Sequence, residues 1–462
     1  MENLLDQPSK ARTWLDMHGS PLHVLVASEF TRNVNDLLLP LRQRGISGTL
    51  FFARKANKLP WFVGLCKETG IGVDTASLRE LQETLLLGVS PDQIVVTAIS
   101  KGHELISLAI SKGCLLIIDN SDELEMVRSV ARSLGTSARI GLRFSGFIAN
   151  GRKIFSRFGF PIADWPQLNA ELIADPSLQI ELFHAHLDRY DVNERALAAR
   201  QLIDCADSAA ATGRSISSID LGGGILMRYL KEASQWRHFL DDLLSSIAGN
   251  RPLFTYQGDG LGYYKAGREV HGSPDLYPAW NDISKERFIA AILDHTKNGV
   301  PLHRELSARK IKLFFEPGRS LLDNVGITLA KVCFRKRDTS GNLLIGLEMN
   351  RTNLRPFRAE FCSDPILLSE ESHEMRKKST EGAFLVGNLC TESDLLFKRK
   401  LQLSYLPQPG DIFCFANTAG YLAHHAETGT HGGPLPTNLL VDEVRWEVLD
   451  QLETIKMLRH KP

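Results

Sequence analysis

A lysine closes the apolar run FFARK at Lys55, and a histidine closes LFHAH at His186. Three consecutive glycines, Gly222, Gly223 and Gly224, follow SIDL, and Glu316-Pro317-Gly318-Arg319 follows KLFF. Asp74, Asp119 and Arg143 end three further runs of the same kind. An amine becomes a nucleophile towards a carbonyl once it is deprotonated, and the cationic neighbours Arg54 and Lys58 would favour a neutral Lys55. Consecutive glycines let the backbone approach a ligand closely and aim several N–H groups at one anion. A guanidinium grips phosphate oxygens, and a carboxylate set apart from it by a rigid turn can hold a cation or a protonated ring nitrogen. Taken singly, each has a plainer account: a strand running into solvent, a tight turn, a surface ion pair. What matters is whether the fold brings them together.

Eight short β-branched or aromatic runs recur with helical spacing between most of them: 48–53, 71–76, 93–98, 114–119, 138–144, 182–187, 218–223 and 311–317. After Asp119-Asn120-Ser121, a candidate cap, Leu124, Val127, Ala131 and Leu134 fall on one helical face. Repeated β-then-α units predict a parallel sheet, and eight of them predict a closed (β/α)8 TIM-like barrel with its chemistry at the C-terminal strand ends. All the polar groups above stand at that end.

Past Glu316 the alternation changes to strands and turns, which predicts a mainly β domain over 325–462, with 26–324 as the barrel. Residues 1–25 precede the first barrel strand and are expected to join the β domain. The Gly-, Tyr- and Pro-rich stretch 250–285 is too long for an ordinary connection, and reads as either a lid over the site or a floppy insertion, its tyrosines and tryptophan serving either as core packing or as a substrate lid.

Among 462 residues, 54 Lys and Arg balance 54 Asp and Glu, without a long basic block, which argues against nucleic acid or an anionic membrane as the main partner. No apolar run is long enough to span a bilayer, and the N-terminus lacks a signal-like apolar core. Seven scattered cysteines without metal-like spacing predict a reduced, cytoplasmic protein with neither disulfide framework nor metal site.

An amine, an anion cradle, an imidazole and a carboxylate on one barrel mouth suit pyridoxal 5'-phosphate. The motifs then become specific. FARKAN, DTASLREL (74–81), SRFG (156–159), HAH (184–186), the triple glycine, EPGR (316–319), GNLCTESD and AGY occur in this order. Together they resemble the fold-type III pyridoxal-phosphate decarboxylases, the family of diaminopimelate, ornithine and arginine decarboxylases, with the alanine racemase-like fold of barrel plus β domain. The resemblance implies Lys55 as the Schiff-base lysine and His186 as the imidazole stacked on the cofactor. It implies Glu316 at the pyridine nitrogen, and Arg319, Gly318, the glycine turn and Tyr421 near the phosphate, with Asp74 and Arg143 also in the cofactor set. Cys390 is implied as the proton donor to Cα, offered across a homodimer interface that completes the active sites.

The same resemblance makes Glu392 and Asp394 substrate contacts, although Thr391 stands where the family has its acid, which shifts the register. MNRTNLRPF (349–357) resembles a diaminopimelate-type motif with one extra residue, so that Arg355 would meet a distal carboxylate. Asp188-Arg189 replaces a small pair, and Arg189 either reaches the phosphate or pairs with Asp188. The expected activity is decarboxylation of a basic, diamino or diaminopimelate-like amino acid, D-configured ones included. The alternatives are an amino-acid racemase of the same fold, disfavoured because Glu316 would keep the ring protonated, and a non-catalytic paralogue that binds a partner.

Overall fold

The computed structural model describes residues 8–172, 175–355, 358, 360–369, 378–379, 381–441 and 446–448. They form two compact units. One comprises Thr31–Leu226 with Ile283–Leu321; the other comprises the described residues up to Phe30, Met227–Asp282, and the described residues from Leu322 to 448.

The first unit is the expected barrel. Its strands are β2 (Gly48–Ala53), β3 (Gly72–Thr75), β4 (Ile94–Val96), β5 (Leu115–Ile118), β6 (Ala138–Ser145), β7 (Leu178–Ala185), β8 (Ser218–Asp220) and β9 (Lys312–Phe315). Each pairs in parallel with the next, β9 pairs with β2, and β6 pairs with β7 from Ala138 opposite Leu178 to Phe144 opposite Ala185. The sheet is therefore closed, with no free edge to protect. Phe51, Val95, Leu115, Ile117 and Leu182 form a buried cluster drawn from four strands, with Phe314 of β9 against it. Each such side chain contributes about 1.5–3 kcal/mol by leaving water.

Local sequence sets where the covering helices begin. Ser77 accepts a hydrogen bond from Glu80 N at 3.2 Å, and the Glu80 carboxylate accepts one from Ala76 N at 2.7 Å. Much of DTASLREL is therefore a reciprocal cap for helix Leu78–Leu86, with Leu81 buried beneath it. Asn120 caps helix Ser121–Ser133 by accepting from Glu123 N at 3.0 Å. Leu124, Val127 and Ala131 are buried as the spacing predicts, but Leu134 is 45% exposed because the helix stops at Ser133.

The second unit centres on β10 (Gly326–Arg337), which pairs antiparallel with β11 (Leu343–Leu347), with β13 (Ile412–Phe415) and with the N-terminal strand β1 (Leu22–Leu25). β11 pairs with β12 (Gly382–Val386), and β1 with β14 (Thr437–Val441). Towards the C-terminus, residues 437–441 and 446–448 are strands, and residues 442–445 and 449–462 lie outside the described residues. Stretch 250–285 packs in this unit as far as Asp282: Leu261 and Leu276 bury against Leu243 of helix Ala233–Ala248, with Phe254 and Tyr263 alongside. Its strand pair Tyr263–Ala266 and Glu269–Gly272 is mostly exposed.

Candidate active site

The barrel's C-terminal strand ends bring together the residues that the sequence scatters. Glu316, just past β9, is 2% exposed and lies 3.2 Å from His184 Nε2 and 3.8 Å from His186 Nδ1. Burial pushes its carboxyl up, but His184 above all, with Lys55, works against that, and the carboxyl sits well below the ordinary range. Burial presses the His184 ring below its ordinary pKa and drives His186 down to about 4. Gly223 N–H donates to His186 Nδ1 at 3.3 Å, so that nitrogen carries no proton and the ring is neutral. At 3.8 Å the His186–Glu316 approach is too long for a hydrogen bond.

Lys55 stands on the short turn Arg54–Ala56 at the end of β2, its side chain 43% exposed and its Nζ 3.8 Å from Asp74 Oδ2. Asp74, on β3, also accepts from Thr97 Oγ1 at 2.5 Å. Burial first, and the Glu316 charge second, raise Asp74 to about 7. The expected cationic tuning of Lys55 by Arg54 is not what the structure has. Arg54 is buried and turned to Glu83, 2.5 Å away, and to the carbonyls of Glu80 and Lys58, which compensates its charge within the helix layer. The charged neighbour of Lys55 is a carboxylate instead, which favours the ammonium form when ionised.

The glycine turn is tight for a specific reason. Gly222 and Gly224 have φ of 66° and 70°, values that side chains resist. A Cβ on Gly222 would lie 2.5 Å from His186 Nδ1, and one on Gly223 would lie 2.7 Å from the Glu316 carbonyl oxygen. Gly222 N–H donates to Asp220 Oδ1 at 2.7 Å, and Gly222 O accepts from Glu316 N at 2.9 Å. Beneath the turn Arg195 is buried, donating to the carbonyls of Leu187 and Leu221 at 3.1 Å and of Arg189 and Gly224 at 3.3 Å.

Arg143, on β6, lies 3.6 Å from Asp119 and 4.5 Å over the Phe158 ring, while Gly159 N–H donates to Asp119 at 3.0 Å. SRFG is thus a loop docked on the ends of β5 and β6. Gly318 is buried and Arg319 half-buried on the turn past β9. Arg189 takes neither expected course: it is exposed and pairs with Glu194 at 3.4 Å.

Three buried groups at this mouth escaped the sequence reading: His184, Asp220 and Arg195. The first two stood inside the HAH and SIDLGGG motifs, but only their neighbours were assigned roles. Arg195 sits in an ordinary helical pattern that carries no signal.

The other expected residues belong to the second unit. Tyr421 is half-buried with φ of 61°. Cys390 is exposed, its Sγ 3.8 Å from His431 Nε2. Arg355 and Glu392, both exposed, line a cleft of about 770 Å³ with Arg351 and Arg358; residues 356–357 of the MNRTNLRPF motif lie outside the described residues. Asp394 is buried and accepts from Arg351 N at 2.7 Å and Leu389 N at 2.8 Å, one bond to each carboxylate oxygen, and these bonds shape the loop.

Residues 31–253 match the family model described as pyridoxal-dependent decarboxylase, pyridoxal binding domain. That stretch is the pyridoxal binding domain of the pyridoxal-dependent decarboxylases. The chain is 26% identical to the uncharacterized protein y4yA of Sinorhizobium fredii, over 93% of this chain and 89% of the relative. It is 23% identical to a diaminopimelate decarboxylase of Zymomonas mobilis, over 96% and 92%. A solved diaminopimelate decarboxylase from M. jannaschii, in complex with L-lysine, shares the fold at a TM-score of 0.73 and 17% identity, over 97% and 94% of the chains. The resemblance in the motifs, the barrel-plus-β fold and the pyridoxal cofactor are thereby borne out.

The residues present fit that cofactor. Such decarboxylases need an amine, an anion for the ring nitrogen and a backbone cradle for a phosphate. The mouth has Lys55, an ionised buried Glu316, and a glycine turn whose close approach leaves no room for side chains.

Proposed function

We propose that this pyridoxal-dependent decarboxylase releases CO2 from an amino acid bearing a second, anionic group at its far end, with Lys55 as the amine that holds the cofactor. When bound, pyridoxal phosphate supplies the electron-accepting ring that stabilises charge at Cα. The observation that carries the reading is Glu316, a buried carboxylate held anionic beside two imidazoles that are themselves pressed towards neutrality. It would grip a protonated ring nitrogen and keep the proton there. The amides of Gly222–Gly224, with Arg319 and Gly318, would hold the phosphate, and neutral His186 offers a flat face for stacking. Arg143 and Asp74 complete the polar wall of the mouth.

Cys390 would give a proton to Cα after the carboxylate departs, from the partner chain of a homodimer. Arg355 and its neighbours Arg351 and Arg358 favour an anionic distal group, as diaminopimelate carries, and Glu392 would receive an amine. A reduced cytoplasmic setting belongs to the same reading, supported by seven free cysteines.

The test is CO2 release from L- and D-lysine, ornithine, arginine and meso-diaminopimelate. Activity is expected on a carboxylated substrate, with none in Lys55→Ala, which should also lose the borohydride-sensitive yellow colour. Undiminished turnover in Lys55→Ala would overturn the mechanism. If Arg355→Ala slows a dicarboxylic substrate no more than a diamine, the distal-anion assignment fails.

A further inference from the structure

We infer that His431 is the acid–base partner of Cys390, forming a thiol–imidazole dyad that returns the proton Cys390 spends. The inference rests on the proposed role of Cys390. Cys390 lies on the loop after β12, and its Sγ is 3.8 Å from His431 Nε2, within hydrogen-bond reach for sulfur. The two residues are 41 positions apart, so the contact is a product of the fold and not of chain proximity. His431 has φ of 61°, in the left-handed region that non-glycine residues rarely occupy. Its loop is tied by the Thr428–Thr430 hydroxyl bond of 2.7 Å, next to the turn on which the imidazole stands. Cys390 also lines a hollow of about 510 Å³ with Glu392 and Lys336, so a small molecule can reach the thiol.

The chemistry needs such a partner. When Cys390 gives its S–H proton to Cα, an S–H bond breaks, a C–H bond forms and a thiolate is left. An imidazolium at His431 stabilises that thiolate, donates Nε2–H to re-form S–H, and is itself re-protonated by water. No oxidant or reductant is required, and charge balances at each transfer. An exposed thiol without an imidazole would wait on solvent for its proton.

The experiment is iodoacetamide labelling of the holoenzyme at pH 7, with each cysteine followed by peptide mass spectrometry. Cys333 is the internal reference, because it too is exposed and burial of its surroundings raises it to about 11. With Cys333 as reference, His431→Gln and His431→Asn should each slow Cys390 about tenfold while leaving Cys333 unchanged. Cys390 rates within about twofold of the parent in both variants would overturn the dyad. Turnover is expected to fall about tenfold in His431→Gln with KM unchanged, as for a group that acts only on proton transfer. If Cys390→Ser keeps full turnover, the acid role proposed for Cys390 fails, whereas the labelling rates still decide the dyad.

Discussion

Replacing Gly223 by alanine tests whether the glycine turn is the phosphate cradle. Gly223 is not in the left-handed region, so alanine meets no backbone penalty there, and the cost is steric alone. The new Cβ would stand 2.7 Å from the Glu316 carbonyl oxygen and 3.5 Å from His186 Cε1. The carbonyl belongs to backbone just past β9 and cannot rotate aside as a side-chain tip would, so the turn itself must move by roughly half an ångström. Overpacking of this kind costs about 1–3 kcal/mol, partly offset by about 0.5–1 kcal/mol from the stiffer unfolded chain. The net loss of about 1–2 kcal/mol should lower Tm by about 1–4 °C without cofactor. Cofactor affinity should suffer more. Displacing even one charge-assisted N–H bond to a phosphate removes about 1.5–3 kcal/mol, so pyridoxal phosphate should bind about 10- to 100-fold more weakly. The assay is an absorbance titration of apo protein together with thermal melts at several cofactor concentrations. Gly64→Ala is the control: it lies in helix Pro60–Thr69 with nothing within 4 Å of the new Cβ, and should stabilise by about 1 kcal/mol with affinity unchanged. Parent-like affinity in Gly223→Ala would refute the assignment of this turn to the phosphate.

Other expected outcomes are as direct. His186 is driven down to about 4 from 6.5, so its neutral form stabilises the fold above pH 6.5, and that contribution is lost as pH falls through 4. Because the ring keeps 30% of its surface, the loss between pH 7.5 and 4.5 should be about 2 kcal/mol, read as the stability difference from His186→Asn by urea unfolding. Using the difference removes the opposite contribution of Asp74, raised to about 7, whose protonated form favours the fold on the acid side of that value. A difference that does not change with pH would sink the claim. Ser77→Ala removes a helix cap and should cost about 1 kcal/mol of stability, by thermal melting, with turnover intact. Arg195→Lys loses the fork that reaches four carbonyls and should destabilise by about 3 kcal/mol; a Tm within about 1 °C of the parent would deny Arg195 its bracing role.

What was legible in the sequence follows from what each signal depends on. The eight barrel strands could be read because apolar runs bounded by polar ends depend only on local spacing, and all eight occur within a few residues of their expected bounds. Helix starts were legible for the same reason at Asn120. The end of that helix was not, and Leu134 was misplaced, because nothing local marks Ser133 as the last turn. Motif positions predicted which residues meet at the mouth, but not what each one touches. Arg54 follows the last strand residue by one position, yet it turns away to Glu83; the sequence cannot say which side of a turn a guanidinium takes. Asp394 sits inside a motif, yet both its oxygens hold backbone amides. Arg195 illustrates the converse, since its four carbonyl partners come from segments separated in the chain and brought together only by barrel closure.

The acids at the mouth carry this furthest. Asp74, Asp220 and Glu316 are all buried, all within or just after β-strands, and indistinguishable by composition. Three such carboxylates cannot all ionise in a low-dielectric site, because each charge opposes the next. The fold resolves the competition. Asp220 receives one amide bond, from Gly222, and burial with the Glu316 charge raises it well above its ordinary value; Asp74 is raised to about 7 by the same two causes. Glu316 alone has an imidazole N–H at 3.2 Å with a second ring behind it, so the negative charge collects there. Removing that charge should therefore act at a distance: in Glu316→Gln the repulsion on Asp74 disappears and its pKa must fall from about 7. Burial remains the largest of the causes that raise it. A pair of buried carboxylates pushed to opposite protonation states is a way to divide acid and anion roles in one site. Here the division leaves one fixed anion, at the residue that the proposed chemistry needs charged.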